Sequence, residues 1–138
     1  MASWGFRRRG RRRTRPAPVV GDPTLVVVAE GGEATASSTA LAEGGFAAAE
    51  PVVLRHTLWL PSARVEEIMA RFTTAGYRAD ESVSAATAED GLVLVAVAQT
   101  VVVDPVVLSR ERARVSSVAS RASGRVEGWA LLRSADMA

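Results

Sequence analysis

The run LVLVAVAQTVV, Leu92 to Val102, constrains the fold more than any other stretch of the chain. It is almost wholly apolar and rich in β-branched residues, the composition of a strand covered on at least one face. At eleven residues it is far short of the roughly 20 apolar residues that a membrane-spanning helix needs, and so is Leu25 to Ala29. The run therefore requires a sheet. Immediately before it, Asp90-Gly91 is a strong hairpin signal. The more polar YRADESVSA, Tyr77 to Ala85, supplies a weaker strand to pair with it antiparallel.

The flanking patterns complete that sheet. VVLRHTLWL, Val52 to Leu60, reads as a strand ending at Pro61. In SARVEEIMARFTTAG, Val65, Ile68, Met69 and Phe72 recur at i, i+3, i+4 and i+7, which predicts an amphipathic helix. Ser62 is its expected N-cap, Glu66 and Glu67 lie early, Arg71 lies late, and Gly76 marks its stop. Asp104-Pro105 opens a second helix, with Leu108, Val115, Val118, Ala119 and Ala122 on one face and Arg110, Arg112, Arg114 and Arg121 on the other. SGRVEGWALL, Ser123 to Leu132, then begins with a helix-stopping glycine and reads as a final strand. The order strand, helix, strand, strand, helix, strand predicts an α+β, ferredoxin-like βαββαβ sandwich over residues 51–134, a four-stranded antiparallel sheet with two helices on one face. Residues 135–138 are a tail.

Residues 1–50 read as a mostly disordered arm and linker, too poor in periodic apolar residues to offset the entropy of ordering. Two segments depart from this: a strand candidate at 24–30, TLVVVAE, able to pair with a sheet edge, and a helical turn around Ala36 to Ala42. The arm also divides the charge. Seven of the seventeen arginines, Arg7, Arg8, Arg9, Arg11, Arg12, Arg13 and Arg15, precede the first acidic residue. The rest of the chain holds ten basic against fifteen acidic residues, a net of −5, so the formal +2 conceals a basic arm on an acidic body.

Cysteine is absent, which excludes disulfides, thiolate nucleophiles and cysteine-held metals. Other catalytic chemistry is poorly provided for. His56 is the single histidine and sits mid-strand among alternating apolar residues, a setting that predicts a structural or exposed side chain more than a catalytic one. Glu66 and Glu67 are adjacent on a helix and point apart. Asp80-Glu81 and Glu89-Asp90 lie at turns without the loop context of a metal site. Nucleophile-elbow, phosphate-loop and dinucleotide motifs are all missing. The expectation is a non-enzyme with no cofactor and no metal. An RNA-recognition motif would need stacking aromatics on LVLVAVAQ, which has none. An acylphosphatase site uses an asparagine, and the chain has no asparagine. A small-molecule-sensing regulatory domain of the ACT type stays open.

The punctuation of the domain carries a resemblance. AGYRADES, Ala75 to Ser82, and ASRASGRVEGWALL, Ala119 to Leu132, resemble the ribonuclease E regulator B (RraB) family over about residues 54–132. Gly76 and Tyr77 match a Gly-Tyr after the first helix, while Gly124, Gly128 and Trp129 match the glycine and the Tyr-Asp-Gly-Trp that follow the last. Val126 stands where tyrosine is usual, and Glu127 replaces the aspartate. The resemblance implies a ferredoxin-like domain that binds a ribonuclease by protein contact, with Gly76, Tyr77, Gly124, Glu127, Gly128 and Trp129 as partner-binding candidates. The arm, for its part, is suited to RNA phosphates through counterion release and bidentate guanidinium contacts. A cytoplasmic regulator or adaptor of RNA metabolism is the expected function. The alternatives are the ligand-sensing domain and a protein held at an anionic membrane surface, with Trp4 and Phe6 as shallow anchors.

Overall fold

The computed structural model describes residues 17–44 and 50–135. They form five strands and three α-helices: β1 (Leu25–Gly31), α1 (Ser37–Glu43), β2 (Pro51–Pro61), α2 (Val65–Thr74), β3 (Arg78–Ala79), β4 (Leu92–Val102), α3 (Pro105–Arg121) and β5 (Arg125–Ser134). The fold is α+β, with one antiparallel sheet in the order β1-β5-β2-β4-β3.

β2 shows how the pattern builds the molecule. Side chains alternate across a strand. Leu54, Leu58 and Leu60 are wholly buried on one face, against Ile68 and Phe72 of α2 and Leu108, Val115 and Ala119 of α3. Ala40 and Leu41 of α1 join the same side. On the opposite face Val53 meets Ala98, Ala130 and Leu132, with Val20 and Leu25 laid against them. There the Thr100 hydroxyl donates to the Pro18 carbonyl at 2.7 Å, so the segment entering β1 lies across this second face. The sheet is thus covered by helices on one side and partly by its own N-terminal segment on the other.

Several expectations are met at the residue level. Asp104 caps α3 by accepting from the Val107 amide at 2.8 Å, and Pro105 occupies its first turn. Gly76 follows α2 with φ +96°, the left-handed conformation that glycine enters without steric cost. Other features differ. Ser62 makes no cap hydrogen bond, because a 3₁₀ turn, Ser62–Arg64, precedes α2. At the end of α3 the left-handed residue is Ser123 (φ 63°), not the glycine after it. Gly124 is required instead for space, since a Cβ there would lie 2.3 Å from the Trp59 carbonyl oxygen.

Larger differences concern the number and length of elements. The strand candidate at 24–30 and the helical turn after it are present as β1 and α1, so the sheet has five strands where four were expected and the fold three helices where two were expected. The strand expected over Tyr77 to Ala85 shrinks to Arg78–Ala79. Asp80 stops it by folding its carboxylate back onto the Ser82 amide (3.0 Å) and hydroxyl, a local turn that competes with the ladder. Pairing resumes only as a single bridge between Thr87 and Val93.

Candidate functional site

β2 places His56 on the helix-covered face of the sheet, directly opposite Trp129 of β5 in register. A bulge makes this face continuous. Thr57 pairs with Gly128 and Leu58 with Val126, so Glu127 is the extra, exposed residue. Without it Val126 and Trp129 would fall on opposite faces. Gly128 keeps the adjoining strand close, since a Cβ there would stand 3.0 Å from the Gly31 carbonyl oxygen.

Above these residues α3 contributes Arg112. Its guanidinium lies over the Trp129 ring, 5.3 Å from the centroid. Nη1 donates to the Thr35 carbonyl (2.7 Å) and the Ser37 hydroxyl (2.9 Å), and Nη2 to the carbonyls of Gly32 (2.9 Å) and Glu33 (3.3 Å). One side chain from α3 thereby pins the whole connection between β1 and α1. Beneath it is a cavity of about 340 Å³ with His56, Trp129, Ser109, Ser116, Ser37 and Val126 among its walls.

The cavity floor is polar in an unusual way. His56 is 1% and Trp129 3% exposed, yet neither nitrogen of the imidazole nor the indole Nε1 meets a hydrogen-bonding group of the protein. Burial pushes the His56 pKa down to about 4; the Glu111 charge opposes this and that of Arg112 assists it. The histidine is therefore neutral at physiological pH, with one donor and one acceptor nitrogen.

Behind His56, away from α1, stands a second polar group. The Tyr77 ring meets His56 edge-on at 6.1 Å, and its hydroxyl donates to Glu111 Oε1 at 2.6 Å. Gln99 Nε2 donates to the same oxygen at 3.0 Å, and Arg110 and Arg114 lie at 3.5 and 3.7 Å from the carboxylate. Burial raises the Glu111 pKa, but the Tyr77 hydrogen bond and the charge of Arg114, with help from Gln99 and Arg110, outweigh it and hold the carboxyl below its ordinary value. Tyr77 is pushed strongly upward by burial and by Glu111. The group is a closed, satisfied network.

The residues singled out from the sequence fare differently. Arg7, Arg8, Arg9, Arg11, Arg12, Arg13 and Arg15 lie outside the described residues. Tyr77 and Trp129, two of the partner-binding candidates, are buried: Tyr77 anchors Glu111 and Trp129 lines the cavity. Gly76, Gly124 and Gly128 serve backbone geometry, and of the six only Glu127 presents an exposed side chain. Arg112 and Glu111 were missed as site residues. For Glu111 the signal was present, since it falls between Leu108 and Val115 at helical spacing and so belongs to the buried face.

Among the described residues no cluster of three or more metal-ligating side chains occurs, and no helix is long and apolar enough to cross a membrane. No family model, curated protein or solved structure matches the chain.

Proposed function

We propose that the protein is a non-catalytic, cytoplasmic adaptor of RNA metabolism, in which residues 51–134 bind a ribonuclease or another RNA-associated protein and the arginine arm attracts RNA. The division of charge carries this reading: seven arginines without an acidic residue among them, on a remainder of net −5. An acidic body repels nucleic acid while a dense arginine tract binds it, which separates the two tasks. The strand order β5-β2-β4-β3, with α2 and α3 against one face, supports a ferredoxin-like core of the kind the RraB resemblance implies, extended by β1 and α1. Because Tyr77 and Trp129 are internal, the partner surface in this reading centres on exposed groups such as Glu127.

The test compares the full chain with one in which the seven arm arginines are serine. Anisotropy of a labelled single-stranded RNA should show binding that weakens steeply with salt, with a log–log slope of up to about −5 for seven phosphate contacts. The serine variant should lose most of it. Equal retention of RNA by both chains overturns the role of the arm, and recovery of no ribonuclease or RNA-bound protein from nuclease-treated lysate overturns the adaptor role. The cavity beneath α3, with unpaired His56 and Trp129 nitrogens in its floor, favours a second reading, a small-molecule-sensing domain.

A further inference from the structure

We infer that the cavity beneath α3 is a binding site for a small organic carboxylate with an apolar body. Three observations converge on that class. The first is donor placement. His56 and Trp129 are direct cross-strand partners, and their side chains stand next to each other on one face of the sheet. Both carry N–H groups that find no acceptor in the protein, and leaving such groups unpaired in a buried site costs free energy that a ligand oxygen recovers. One N–H on each residue can serve the two oxygens of one carboxylate, and Ser116 lines the cavity from α3, where the neighbouring Ser109 hydroxyl already donates to Ser37 at 3.0 Å.

The second is the sign of the field. All four hydrogen bonds of Arg112 go to neutral oxygens, and none of the ion pairs among the described residues includes it. Its positive charge therefore enters the cavity from above Trp129; the Glu111 carboxylate, which opposes it behind His56, is itself paired with Arg110 and Arg114. Glu33, the acidic residue on the rim, is exposed, where water screens it. A cationic ligand would meet the guanidinium and an N–H donor together. A phosphate would need more donors than this wall supplies, because Arg112 has already committed its fork to the β1–α1 connection.

The third is the remaining lining. The indole ring, Val126 and Ala113 are apolar, and a volume of about 340 Å³ falls in the range of small-ligand sites. The ligand's anionic end belongs at His56 and Trp129, and its apolar body along Val126. This inference is independent of the arm and of any RNA.

The experiment uses the full chain labelled with ¹⁵N, titrated with benzoate, phenylacetate and hexanoate, each against its own primary amide. A saturable shift of the Trp129 indole N–H resonance is expected for at least one carboxylate, with the indole of Trp59, on the other face, unmoved. The matching amide should bind about tenfold more weakly, the effect of one charge-assisted contact. Arg112→Gln should remove that preference. Since Arg112 also holds the β1–α1 connection, a second variant is used: Ser116→Phe fills the cavity from α3 and should abolish the shift. No saturable shift with any of the three carboxylates, equal binding of the amides, or an unchanged response in Ser116→Phe each overturns the proposal.

Discussion

His56 is the side chain of this protein whose ordinary pKa lies between pH 5 and 8. It is the only histidine, and its pKa falls from an ordinary 6.5 to about 4 because burial disfavours the charged ring. As pH drops, the unfolded chain takes up this proton before the folded one does. The His56 contribution is therefore fully present above pH 6.5 and is lost as pH falls toward 4, by about 3 kcal/mol in total. Urea unfolding midpoints should decline between pH 7 and pH 4.5 in the natural chain and stay nearly level in His56→Leu; a level profile in the natural chain would rule this out. Glycines make a second comparison. Gly124→Ala drives a methyl into the Trp59 carbonyl, backbone against backbone, whereas Gly128→Ala makes a looser contact with Gly31. Thermal unfolding should show the first losing about 1–3 kcal/mol, as overpacking does, and the second clearly less.

At the scale of elements, helices were the most legible because their rules are local. The spacing of Val65, Ile68, Met69 and Phe72 and the Asp104-Pro105 start can be read without knowing the fold, and α2 and α3 follow them. Asp104→Ala should accordingly cost about 1 kcal/mol, the usual value of a lost N-cap, detectable as a lower denaturant midpoint with an unchanged slope. Strand ends were less legible. Whether Tyr77 to Ala85 extends along β4 depends on a competition between ladder bonds and the Asp80 turn, and the turn wins. The place of β1 was out of reach for a related reason: TLVVVAE reads as a strand anywhere, but its partner β5 lies about a hundred residues away.

For the whole molecule, the sheet is layered unevenly. β2 is central, flanked by β5 and β4 and packed on both faces, while β1 and the two-residue β3 form the edges. Amide hydrogen exchange should be slowest in β2 and in the amides of β4 and β5 paired to it, and fastest in β3 and β1. Uniform protection across the sheet would contradict this layering. The sequence by itself determined the succession of elements and the separation of a basic arm from an acidic body, because apolar spacing, capping and charge count are properties of neighbours along the chain. Only the tertiary structure decided what these elements enclose. The meeting of His56 with Trp129 depends on a cross-strand register and a one-residue bulge at Glu127, and the closure by Arg112 depends on where α3 crosses the sheet. Those are relations between distant segments, set by packing, and they turn a lone strand histidine into the floor of a cavity.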